Sequence, residues 1–92
     1  MPRNRFEQVD DVQSDAITLV LSHHDGEPSG TVTLPAGLAG GQQAEALVSG
    51  RLLATDAFRS AIRLANEIKA AMVVVDPDAL WQPEWGDLYR AV

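Results

Sequence analysis

The chain has 92 residues, 46% of them hydrophobic, enough for one small core and too few for two. Thirteen acidic residues against seven basic ones give a formal net charge of −6. That balance argues against nucleic acid or an anionic membrane as a main partner, because both demand a surplus of Lys and Arg. Cysteine is absent, which excludes disulfides, thiolate nucleophiles and sulfur-ligated metals.

The opening MPRNRFEQVDDVQ has arginines but no apolar segment of the kind a secretory signal requires, and no run approaches the length of a membrane span. A soluble, cytoplasmic protein is the expectation. Abundant Ala, Gly and Asp beside a single Lys suggest a GC-rich bacterial source. Residues 1–15 are polar and acidic, with Phe6, Val9 and Val12 three apart. This pattern fits neither a helix nor a strand well, and reads as a flexible acidic arm with at most a short edge strand near Phe6. The remainder, 16–92, reads as a single domain.

The first clear element is DAITLVLSHH, where Ile17, Leu19 and Leu21 alternate with Thr18, Val20 and Ser22. Asp25-Gly26 then supplies the positive φ angles of a tight reversal. GTVTLP alternates again and stops at Pro35, which cannot donate to a ladder. Together these segments predict an antiparallel hairpin.

The period changes in AGLAGGQQAEALVSG, where Ala44, Leu47 and Val48 would share a helical face. Continuing the helix would bury Arg51 on that face, so it is expected to stop near Ser49, with Gly50 ending it. RLLAT reads as a connection, or alternatively a short strand. TDAFRSAIRLANEIKAAM is the strongest helix: Phe58, Ala61, Ile62, Leu64, Ala65 and Ile68 fall on one arc, with Arg59, Arg63, Asn66 and Glu67 opposite. Thr55 is its expected cap, Asp56 suits its first turn and Lys69 its last. AMVVVD is continuously apolar, as expected of a strand covered on both faces. Helices can cover only one of those faces, so ALWQPEW is expected to cover the other.

The fold class predicted is α+β: a hairpin, two helices on one face, and a third strand completing a three-stranded sheet. The last strand would run parallel to the first strand of the hairpin. The Trp-bearing C-terminal segment would pack back on the sheet.

Candidate sites are few. Asp76 and Asp78 follow an apolar strand with proline between them, and could hold a divalent metal or bind a small ligand at the strand end. An EF-hand register fails, because Leu80 and Trp81 fall at its fifth and sixth positions. The alternative is a turn in which an Asp side chain bonds local amides and caps a short helical turn. Trp81, Trp85 and Tyr89 are spaced by four and could form an interaction surface together with Arg59 and Arg63. The indoles also suit the core. His23 and His24 read as a solvated hairpin tip, and Arg63–Glu67 as a weak pair one turn apart.

No nucleophile, phosphate-loop or dinucleotide pattern is present, and no cofactor is expected. The leading expectation is a non-catalytic interaction or accessory module with an unknown protein partner, as monomer or homodimer. Metal or small-ligand binding at Asp76 and Asp78 is the first alternative. An acidic, antitoxin-like partner of a basic protein is the second.

Overall fold

The computed structural model describes residues 5–13, 15–35 and 47–90. Seven strands and one helix build a mixed α+β domain: β1 (Arg5–Gln8), β2 (Ile17–His24), β3 (Glu27–Leu34), β4 (Leu47–Val48), β5 (Leu52–Leu53), α1 (Ala54–Ile68), β6 (Met72–Val75) and β7 (Asp87–Tyr89). The sheet runs β4-β3-β2-β6-β1-β7, with β5 beside β4 on the outer side of β3.

The hairpin forms as the alternation predicts. β2 and β3 pair antiparallel from Thr18↔Thr33 to His24↔Glu27. Asp25 and Gly26 both have positive φ, 52° and 82°, the type I′ geometry that matches strand twist. β6 lies parallel to β2, as expected, through Ile17↔Met72 to Val20↔Val75.

Four expectations are corrected. The sheet is larger than three strands, and part of the presumed N-terminal arm lies inside it. Arg5–Gln8 is β1, parallel to β6 on one side and to β7 on the other. One helix is described rather than two. The helix expected over the AGLAGGQQAEALVSG segment falls mostly on 36–46, outside the described residues, and its end, Leu47–Val48, is strand β4. Thr55 does not cap α1. The helix begins at Ala54, straight out of β5, with Leu53 at the cap position and no side-chain capping bond.

β4 and β5 form one broken edge strand along β3, pairing at Leu34↔Leu47, Thr33↔Val48, Gly30↔Leu52 and Ser29↔Leu53. Between the two pieces this edge carries one more residue than the stretch of β3 it faces, which is a β-bulge. Ser49 pins the bulge: its Oγ accepts the Val32 N–H at 2.9 Å, and its own N–H donates to the Val32 carbonyl at 2.9 Å.

α1 buries Ala54, Ala57 and Ala61 against β3 and β2 and half-buries Phe58, Ile62, Leu64, Ala65 and Ile68, while Arg59, Arg63, Asn66 and Glu67 face water. Small residues bring helix and sheet together. A Cβ on Gly30 would sit 2.9 Å from the Ala57 Cβ and 3.1 Å from the Val20 carbonyl oxygen. Gly30→Ala is therefore expected to cost about 1–3 kcal/mol through overpacking. Gly50→Ala, with nothing within 4 Å of the new Cβ, should stay within about 0.5 kcal/mol of wild type. Urea denaturation of the two variants checks the contrast. At its far end the helix closes with Lys69 left-handed, φ 55°, and Ala70 N–H donating to the Ala65 carbonyl at 3.0 Å.

β6 is buried on both faces, as its composition predicts: Met72, Val73 and Val74 are buried and Val75 half-buried. The cover differs from the expected one. Register places Met72 and Val74 on the helix side with Ile17, Leu19 and Phe6, and Val73 and Val75 on the other side with Thr18 and Val20. The Trp segment packs on the helix side, beside α1. On the opposite face the chain crosses from β1 back to the start of β2, and Gln13 N–H donates to the Thr18 Oγ1 at 3.1 Å. The N-terminal segment, not the C-terminal one, is the second cover.

Candidate functional site

Asp76 ends β6 at the carboxyl edge of the parallel strands, where open α/β sheets place ligand-facing groups. The topology opens a crevice there. The chain leaves β1 toward the face opposite the helix and leaves adjacent β6 toward the helix face. Between them lies a groove of about 390 Å³ lined by Gln8, Asp76, Pro77, Ala79, Trp81 and Leu88.

The crevice is held shut at its lip, because the Gln8 side-chain amide donates to the Asp76 backbone carbonyl at 3.1 Å. The Asp76 carboxylate, 5% exposed, is turned toward its own tail. Oδ1 accepts the Leu80 N–H at 2.7 Å and Oδ2 accepts the Trp81 N–H at 2.9 Å. This is the turn reading of Asp76-Pro77-Asp78, with one change. The amides bonded belong to a segment without regular structure that enters through left-handed Ala79, φ 57°, and the helical turn comes later, at Pro83–Trp85.

Asp78 is exposed and lies 3.7 Å from the His23 Nδ1. No group of three metal-ligating side chains forms among the described residues. The two aspartates thus serve different contacts: one organises the tail, the other faces the hairpin tip.

The tail fills the helix side of β1 and β7. Phe6, Phe58, Trp81 and Trp85 form one aromatic cluster. Phe58 stacks on Trp85 at 4.7 Å and 7°, and Trp81 stands edge-on to both. Phe6 meets Phe58 at 5.7 Å and Trp81 at 5.3 Å. Trp81 Nε1 donates to the Gly86 carbonyl at 3.0 Å, which satisfies its one polar atom. Of the proposed aromatic surface, Trp85 is buried and Trp81 half-buried, so the indoles belong to the core. Only Tyr89 stays exposed, with the Arg5 guanidinium 4.6 Å from its ring centroid.

Arg59 and Arg63 face solvent on α1, and no Arg63–Glu67 ion pair forms among the described residues. Arg51 reaches from the bulge to the His24 Nδ1 at 2.9 Å.

One surface escaped the sequence reading. On the face opposite the helix, β2, β3, β6 and the broken edge present Thr18, Val20, Ser22, Ser29, Thr31, Thr33, Val73, Val75, Val48 and Leu53. None is charged. Thr18 and Val73 lie at the crossing segment. Ser29 and Thr33 are buried, Val20, Ser22, Thr31 and Val75 are half-exposed, and Val48 and Leu53 are 61% and 59% exposed. The signal was available in the polar half of each alternating strand, where Thr, Ser and Val stand in place of Lys and Glu.

No protein-family model, no curated protein and no solved structure matches the chain. No helix among the described residues is long and apolar enough to cross a membrane.

Proposed function

We propose that this protein is a non-catalytic interaction module that docks a partner on the uncharged face of its sheet. The observation that carries the reading is that face: a field without ionic groups, in a chain of net charge −6, left with two exposed apolar side chains. Parallel strands are normally covered on both sides, and here, among the described residues, the second cover spans only part of the width.

The occupant most consistent with these facts is a second copy. Two acidic chains repel over most of their surfaces and approach at least cost where neither carries charge. The edges are poor routes to the same end. β7 has three residues, β4 and β5 are split by the bulge, and short or bulged edges resist pairing. Exchange of the Trp segment is disfavoured by its packing into its own core.

Face-to-face packing would set the sheets about 10 Å apart. Strand spacing and rise give a footprint of roughly 300–400 Å² per copy, below the area of stable interfaces, so the association is weak and reversible. Sedimentation equilibrium up to about 1 mM should show a mass above the monomer, matching weak association. Thr31→Lys and Leu53→Glu, both with an unchanged circular dichroism spectrum, should return it to the monomer. A wild type that stays monomeric throughout, or variants that associate equally well, would overturn the reading.

A further inference from the structure

The sheet has an opening at the amino ends of β1 and β6. The β1–β7 ladder begins at Arg5↔Asp87 and the β2–β6 ladder at Ile17↔Met72, but the β1–β6 ladder begins only at Glu7↔Val73. Phe6 and Met72 therefore stand opposite one another without a ladder between them. The Phe6 ring packs in the aromatic cluster. A groove of about 450 Å³ fills the opening, with lining drawn from both sides of the sheet.

Its two sides differ chemically. On the helix side lie Ile62, Ala65 and Met72, with Asn66 at the rim. On the other side lie Arg5, Glu7 and Tyr89. Arg5 and Glu7 are two residues apart on one strand, so they share a face at about 6.6 Å. They make no ion pair with each other. The Arg5 guanidinium is held over Tyr89, which limits the freedom it would lose on binding.

We propose that this groove binds a small zwitterion with an apolar tail, of the size and chemistry of an apolar α-amino acid. The carboxylate pairs with Arg5 and the ammonium with Glu7. The tail passes through the opening onto Ile62, Ala65 and Met72. A carboxylate alone would face Glu7, with Asp87 beside Arg5 in the ladder, and an amine alone would face Arg5, so the mixed charges favour a ligand bearing both. The groove shares only Val73 with the uncharged field, and that residue is buried, so this binding is expected to leave self-association unchanged.

The test is a nitrogen–proton correlation titration of the full chain with leucine. Its analogues 4-methylpentanoate, lacking the ammonium, and isopentylamine, lacking the carboxylate, serve as controls. Leucine should shift the amides of Phe6, Glu7, Met72 and Tyr89. Each analogue should bind at least about tenfold more weakly, as should leucine to Arg5→Gln or Glu7→Gln. No shift at about 20 mM leucine, far above the affinity a useful site requires, would overturn the proposal. So would equal binding of either analogue to wild type, a comparison that stands even if a variant fails to fold.

Discussion

Asp76→Ala is expected to lower the unfolding free energy by about 2–4 kcal/mol, since hydrogen bonds to a charged group contribute about 1.5–3 kcal/mol each. The carboxylate is buried and accepts the amides of Leu80 and Trp81. Truncation leaves both donors without that partner, and water restores only part of the loss because Leu80 and Trp81 are half-buried. Asp76→Asn should cost about half as much, keeping one acceptor oxygen while setting an NH₂ group against the other amide. Urea denaturation followed by tryptophan emission measures both effects. Emission should shift to the red in Asp76→Ala before the helical signal is lost, because the tail carrying Trp81 and Trp85 is released first. An unchanged midpoint would show that the turn holds without its carboxylate.

Trp85→Ala should be as damaging or more so, at about 3–5 kcal/mol, the usual range for a buried aromatic reduced to a methyl group. The indole is 9% exposed, stacked on Phe58 and edge-on to Trp81, so its removal strips the flank of α1. Trp85→Phe keeps a ring against Phe58 and should cost under about 2 kcal/mol, as swaps that retain shape are tolerated best. A double-mutant cycle between Phe58→Leu and Trp85→Leu isolates the stack itself. A coupling of about 0.5–1.5 kcal/mol is expected. A value near zero would mean that the rings contribute buried area and nothing specific to their geometry.

The parts of this fold that were legible in the sequence have local causes. The hairpin is written in a period of two and one Asp-Gly pair, and α1 in an arc of apolar residues backed by Arg59 and Arg63. The valine run announced a strand dry on both sides. Parallel pairing of β1 is different, because its partners begin at Val73 and Asp87, far along the chain, and Phe6 is its one buried residue. A four-residue strand with a single apolar anchor has no periodicity to detect. β4, β5 and β7 are shorter still.

The tail shows the same limit. Composition assigned the indoles to the core, but the need to cover β6 assigned them to the wrong face. The direction in which the chain leaves β6 is set by one carboxylate gripping two amides and by left-handed Ala79, and neither leaves a trace in hydropathy. For the candidate site, the sequence offered Asp76 and Asp78 as a pair because alternate residues of an extended chain point one way. The turn that begins at Pro77 ends that extension and sends them apart. The uncharged field went unseen because each strand contributes only one to three of its side chains, and only pairing in space joins them.

The position of β1 has a consequence for biogenesis. β1 is clasped between β6 and β7, which lie far later in the chain, so its neighbours do not exist until both have been translated. The sheet therefore closes late, and such distant pairings slow the search for the native state. Until then the hairpin and α1 are left to bury their apolar faces against each other, with Phe6 still waiting for the indoles that will enclose it.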